Sequence, residues 1–177
     1  GTLDWYIAKV ANKALKKIDG RVLNALRLGA YQIFYLDKVP VSAACNETVE
    51  LVKSFGHAGI VNFTNGVMRT LARDKDTLTF PPRETNEPLW VALTYQHPLW
   101  LVERWHYRYG IEDAIKICEF DNAQPKFSFR VNTLKTSRNG LKAKMQAAGY
   151  EVEDSKWSRE GLLGTKMGST AELMREF

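Results

Sequence analysis

Apolar positions along the first 75 residues recur with a helical period. "TLDWYIAKVANKALKKI" sets Leu3, Ile7, Val10, Ala14 and Ile18 three or four residues apart, with Thr2 as a candidate cap and lysines on the opposite face. This predicts a helix with one buried side. "RVLNALRLGAYQIFYL" places Leu23, Leu26, Ala30, Ile33 and Phe34 on one side and Leu28, Tyr31 and Tyr35 on another, so it is predicted to be the central helix of a bundle. After Pro40, "SAACNETVELVKSFG" predicts a third helix from a Ser42 cap to Gly56. A fourth, "AGIVNFTNGVMRTLARD", uses Ile60, Phe63, Val67 and Leu71 as its inner face and ends in basic residues that suit the helix dipole. Four helices with short connections suggest an antiparallel bundle.

The pattern then changes. Residues 74–88, "DKDTLTFPPRETNEP", contain three prolines and few apolar positions and read as a linker. "HPLWLVERWHYRYG" sets Leu101, Trp105 and Tyr109 at i, i+4 and i+8, and "IEDAIKICEF" continues as a short helix. Beyond it the period shortens to two. Residues 126–132 predict a strand, 137–148 a helix, and "YEVE" a second strand, together a βαβ unit. On the strand, Phe127, Phe129 and Val131 should face a core and Ser128, Arg130 and Asn132 the other side. "GLLGTKMGSTAELMREF" offers a turn and a short helical stretch but no obvious third or fourth strand, so the sheet looks unfinished and the chain is expected to be a fragment. The fold class is therefore mainly α with a small α+β region. The expected organisation is a helical domain over 1–75, a linker over 76–90, and helices with an incomplete RRM-like βαβ unit over 91–177.

Composition adds a charge asymmetry. The net charge is +5, and residues 122–150 hold six of the 25 basic residues and none of the 20 acidic ones. That segment accounts for the whole imbalance, because the remainder carries 19 basic and 20 acidic residues. A basic stretch suits a polyanion such as RNA, whose counterions are released on binding, but charge alone equally allows a solvated helix face. No stretch approaches the roughly 20 apolar residues that span a bilayer, and no signal peptide is evident, so no membrane association and a cytoplasmic location are expected.

Candidate chemistry is sparse. Cys45 and Cys118 lie far apart in helical patterns and form no metal-ligand spacing; buried structural thiols are expected. No phosphate-binding glycine loop, zinc-protease motif or nucleophile elbow occurs. His57, His97 and His106 share no spacing with each other or with a cysteine, and Glu47 with Glu50 fits an exposed helix face. The remaining candidates are basic residues near aromatics: Arg69, Arg73 and Lys75 at the end of the fourth helix, Arg104 and Arg108 among Trp100, Trp105 and Tyr107, and Arg130, Asn132 and Lys135 on and after the first strand. Arginine bonds phosphates bidentately and stacks on bases, so these are candidate RNA contacts; Trp105 itself is expected in the core.

These segments resemble a known combination. "LRLGAYQIFYLDKVPVSAACNETVELVKSFG" and "FTNGVMRTLAR" resemble the core helices of the NusB-like RNA-binding domain, in the pattern L-x-x-G-x-Y-Q, P-x-x-A-x-x-E-x-V-E-L, F-x-N-x-V-x-R. "YQHPLWLVERWHYRYG" and "FSFRVNTLK" resemble the segments that follow it in the Sun (Fmu) family of ribosomal-RNA cytosine-5 methyltransferases. The resemblance implies small-subunit ribosomal RNA as partner and a Rossmann-like catalytic domain that binds S-adenosylmethionine and supplies a cysteine nucleophile. The family's P-G-G-K-T, D-A-P-C and T-C-S segments are missing, so this stretch is expected to be inactive, with no catalytic, cofactor-binding or metal-binding residue of its own and an absent C-terminal methyltransferase domain as interdomain partner. Relatives carry about two further helices before the position of Thr2, so the bundle is expected to be incomplete and to pack on a second copy or on the following region. A NusB-like antitermination factor and a plain protein-interaction module are the competing readings.

Overall fold

The first helical pattern does not run unbroken. In the computed structural model, which describes residues 1–165, α1 spans Thr2–Val10 and the chain turns extended at Ala11 before a 3-10 turn at Leu15–Lys17. Ala14, expected on the inner face, is exposed, whereas Ile7 and Ile18 are buried. A new helix starts after Asp19, whose carboxylate accepts from the Arg21 and Val22 amides at 2.9 and 3.4 Å. That helix, α2 (Gly20–Tyr35), buries Val22, Ala25, Leu26, Gly29, Ala30 and Ile33. Its second apolar face is not enclosed: Leu28 and Tyr31 are 57% and 45% exposed.

α3 (Val41–Lys53) begins directly after Pro40 rather than at a Ser42 cap, and α4 (Ala58–Arg73) is capped by His57, whose Nδ1 accepts from the Gly59 amide at 3.2 Å. Ala44, Cys45, Thr48 and Val52 of α3 meet Thr64, Val67, Met68 and Leu71 of α4 around α2. Cys45 donates to the Met68 carbonyl at 3.5 Å. Gly29 lies where the three helices come closest: a Cβ there would stand 2.3 Å from Thr48 Oγ1 and 2.4 Å from Met68 Cε.

The stretch read as a linker is built into this helical body. Phe80 lies edge-on to Trp5 with ring centroids 5.1 Å apart and 5.5 Å from Tyr6, which stacks on Phe34 at 4.0 Å. α5 (Glu87–Thr94), which the periodicity did not reveal, starts inside it, and its Asn86 cap accepts from the Leu89 amide at 3.0 Å. Thr2 Oγ1 donates to the Leu93 carbonyl at 3.0 Å, joining α1 to α5. α6 (Leu99–Tyr109) and α7 (Ile111–Asn122) close a second core of Val91, Ala92, Val102 and Cys118. Arg83 pairs with Glu87 of α5 and Glu112 of α7 while lying over the Trp90 ring at 5.8 Å. By its contacts the chain divides into units Gly1–Asn122 and Ala123–Phe177.

In the second unit, β1 (Phe127–Arg130), α8 (Arg138–Ala147), β2 (Glu151–Asp154) and β3 (Gly161–Thr165) follow in order. β3 is a strand that the periodicity did not predict; the helical stretch expected near the end lies outside the described residues. The sheet order is β1-β3-β2 with both pairings antiparallel, so the βαβ unit is split by β3 between its two strands. Phe129, Val131, Val152 and Leu162 pack with Leu141 and Met145 of α8. Val131 is buried as expected, but Phe127 is 48% exposed because it stands opposite Gly164, which offers no side chain to cover it. Among the described residues no helix is long and apolar enough to cross a membrane.

Candidate nucleic-acid interface

The structure distributes the candidate basic residues over three elements. On α4, Arg69 and Arg73 are exposed one turn apart, and Lys75 just beyond is half-buried. Arg73 is already engaged: its Nε and Nη2 donate to the two carboxylate oxygens of Asp74 at 2.7 and 3.1 Å. That contact holds the Asp74 carboxyl below its ordinary range and occupies the guanidinium fork a phosphate would need. Arg69 lies near Cys45, where its charge opposes the upward push of burial on the thiol.

α6 offers a more available surface. Val102 is buried and Leu101 and Trp105 are half-buried, so the core expectation for Trp105 is met only in part. The outward positions Trp100, Arg104, Tyr107 and Arg108 follow i, i+4, i+7, i+8 and share one face. Trp100 is 63% and Tyr107 90% exposed, and neither arginine makes an ion pair among the described residues. The start of this helix is held by His97, whose Nδ1 lies 2.7 Å from the Tyr95 carbonyl and whose ring faces Trp105 at 5.7 Å.

In the second unit the charge run is partly neutralised. Lys126 pairs with Glu153, and Arg138 and Lys142 both reach Asp154, at 3.2 and 3.0 Å. Lys126 and Lys142 pull the Glu153 and Asp154 carboxyls below their ordinary values. The acids that the local sequence lacked are thus supplied by β2. Arg130 and Lys135 remain exposed and outside any ion pair among the described residues. Asn132 has a structural duty: its Oδ1 accepts from the Leu134 amide at 3.1 Å and its carbonyl from the Lys135 and Thr136 amides. The turn it makes helps line a cavity of about 330 Å³ with Arg130, Leu134 and Glu160.

Sequence reasoning missed the β2–β3 loop, "SKWSRE", where Trp157 is 94% exposed between Lys156 and Arg159. An aromatic residue between two basic ones in a serine-rich turn was the available signal. Neither cysteine is suited to nucleophilic attack: Cys45 and Cys118 are buried, and burial raises both thiols above their ordinary range.

Comparison with known proteins gives two family matches, the NusB family over residues 1–73 and the RsmF/B-like methyltransferase ferredoxin-like domain over residues 97–169. The chain is 40% identical over 155 residues to the probable ribosomal RNA small subunit methyltransferase B of Bacillus subtilis, covering 85% of this chain and 33% of that protein. It is 30% identical over 177 residues to the Synechocystis protein described in the same words, covering 97% of this chain and 38% of the relative. The chain thus spans little more than a third of the length of these relatives. Among solved structures, the crystal structure of PH0851 superposes with a TM-score of 0.65 at 18% identity, covering 96% of this chain and 38% of that one, which supports the fold.

Proposed function

From the premise that this chain belongs with the ribosomal RNA small subunit methyltransferase B relatives, joining a NusB-family domain to an RsmF/B-like ferredoxin-like domain, we propose that it recognises small-subunit ribosomal RNA for cytosine-C5 methylation. The observation that carries this reading is that pairing of domains in one polypeptide. The exposed arginine and aromatic face of α6 and the unpaired Arg130 and Lys135 supply the chemistry that RNA binding needs. Both thiols are buried and raised, which argues against a catalytic thiolate in residues 1–165, and the polar groove beside Arg130 has no glycine-rich loop for S-adenosylmethionine. Methyl transfer accordingly belongs to the portion of the relatives that this chain does not span, a C-terminal methyltransferase domain acting in the cytoplasm.

The test is fluorescence anisotropy with a labelled small-subunit ribosomal RNA fragment across a salt series, alongside methyl incorporation from S-adenosylmethionine. Binding that weakens with salt, loses slope in an Arg130→Ala, Lys135→Ala variant, and comes without methyl incorporation is expected. Absence of binding at low salt would overturn the recognition role. A NusB-family domain alone also fits a transcript-binding antitermination factor, but the ferredoxin-like match over 97–169 favours the methyltransferase reading. Preferential binding of an antitermination element over ribosomal RNA would reverse that choice.

A further inference from the structure

Among the described residues, the second unit displays its most exposed aromatic side chain away from the sheet face. β1 and β2 both run antiparallel to β3, so the turn after β1 and the loop between β2 and β3 emerge at the same end of the sheet. A backbone bond of 2.8 Å from the Val131 amide to the Glu160 carbonyl ties them together, and the 330 Å³ cavity is lined from both. At this end Leu134 is 95% and Trp157 94% exposed. Around them Arg130, Lys135, Lys156 and Arg159 form no ion pair among the described residues, in contrast to the paired cations nearer β2.

The Trp157 loop has a defined shape. Ser155 Oγ accepts from the Trp157 amide at 3.2 Å, the Ser155 amide donates to the Gly161 carbonyl at 3.0 Å, and the Gly161 amide to the Ser158 carbonyl at 3.2 Å. Only glycine fits at 161, since a Cβ there would lie 2.8 Å from the Cβ atoms of both Ser155 and Ser158. A tight turn that holds an indole in water among unpaired cations suits a π-face above a phosphate chain. A protein-docking patch would be expected to present contiguous apolar surface, whereas Trp157 is flanked by Lys156 and Ser158.

The open face of the sheet does not offer this chemistry. It presents Ser128, Arg130, Glu153 and Leu163 and no aromatic ring among the described residues. Among the described residues, stacking on the sheet face as in RRM domains therefore has no ring to use.

We propose that this loop end is a platform for an unpaired RNA base, with the Trp157 indole as the stacking surface and Arg130, Lys135, Lys156 and Arg159 contacting the flanking phosphates. The inference rests on the RNA-recognition reading and adds to it the position and the single-stranded character of the contact. Indole stacking is indifferent to base identity, so the platform discriminates strandedness rather than sequence.

The test uses the whole chain and two labelled probes, a 12-nucleotide oligouridine and a 12-base-pair RNA duplex, with folding of each variant checked by circular dichroism. Trp157→Ala should weaken oligouridine binding about 10-fold or more and leave its salt slope intact, as expected for loss of one stack. Trp157→Phe should recover most of the loss, and duplex binding should not respond to either change. Lys156→Gln with Arg159→Gln should flatten the slope of log K against log salt by about 0.7 for each phosphate of a single strand that is no longer neutralised. If the native chain binds oligouridine and Trp157→Ala matches it, the platform is wrong while RNA recognition stands. If the native chain binds neither probe at low salt, the recognition reading fails and the platform with it.

Discussion

Gly29 offers a direct test of how the helical body is held together. It belongs to the L-x-x-G-x-Y-Q pattern of α2, and a methyl group at this position would approach Thr48 Oγ1 to 2.3 Å and Met68 Cε to 2.4 Å. Relief requires a movement of about 1 Å, since ordinary contacts of this kind lie near 3.5 Å. The Met68 terminus can swing, but Thr48 Oγ1 is held by its 2.7 Å bond to the Ala44 carbonyl, and both residues are buried. Overpacking of this kind costs about 1–3 kcal/mol, and alanine recovers roughly 0.5–1 kcal/mol of helix propensity over glycine. Gly29→Ala should therefore destabilise the first unit by about 1–2 kcal/mol. With a urea slope of about 1–3 kcal/mol per molar, the midpoint should fall by roughly 0.3–2 M. Tryptophan fluorescence reports this unit, because Trp5, Trp90 and Trp105 are partly buried in it whereas Trp157 is already in water. Removing the obstructing hydroxyl by Thr48→Ala should reduce the cost of Gly29→Ala by about 1 kcal/mol in a double-mutant cycle. An unchanged or raised midpoint for Gly29→Ala alone would refute the three-helix contact.

Other expectations concern charge and capping. Arg27 donates from Nε and Nη2 to both oxygens of Asp4, at 2.7 and 3.0 Å, and holds that carboxyl below its ordinary value. The folded pKa is depressed, so the contribution is present above the unfolded value near 3.9 and is lost as pH falls through the folded one. Asp4→Asn should cost about 1 kcal/mol at pH 7, a figure kept small for the partial exposure of Arg27, and progressively less as pH falls through the folded pKa; urea midpoints followed downward from pH 7 check this. Ser137 caps α8 by accepting from the Gly140 amide at 3.1 Å, and Ser137→Ala should lower stability of the second unit by about 1 kcal/mol, read by circular dichroism. Arg104→Ala with Arg108→Ala should weaken RNA binding and flatten its salt dependence, whereas Arg73→Ala, whose guanidinium is engaged by Asp74, should leave the slope nearly unchanged.

How far each element was legible depended on where its partners came from. α2 and α4 carry long apolar stripes, so the inner-face residues read from periodicity all reach the core, Leu26, Ala30, Ile33, Val67 and Leu71 buried and Leu23, Phe34, Ile60 and Phe63 packed against it. α5 was hidden because "EPLWVALT" is short and apolar on most sides, leaving the Asn86 cap and the early Pro88 as its only start signals. The stretch before it looked like a linker because its few packing residues find distant partners, Phe80 against Trp5 and Tyr6 some 75 residues away and Arg83 with Glu112. β3, "GLLGT", contains two glycines in five residues, and its place in the centre of the sheet compensates for weak strand propensity.

The same long-range pairing explains which cations are available for a ligand. Counted along the chain, residues 122–150 are uniformly basic, yet the split sheet turns Glu153 and Asp154 of β2 toward Lys126, Arg138 and Lys142. Those three charges are accounted for by the fold. Arg130 is different because its β3 neighbour is Gly161, which has no side chain, and because β1 ends there. The register sets glycine opposite Arg130, so that, unlike Lys126, Arg138 and Lys142, Arg130 meets no acid across the strand. The basic run over 122–150 is thus divided by topology: Lys126, Arg138 and Lys142 pair with β2, whereas both cations of "FSFRVNTLK", Arg130 and Lys135, stay exposed and outside any ion pair among the described residues, the state in which a phosphate is met without first breaking an ion pair.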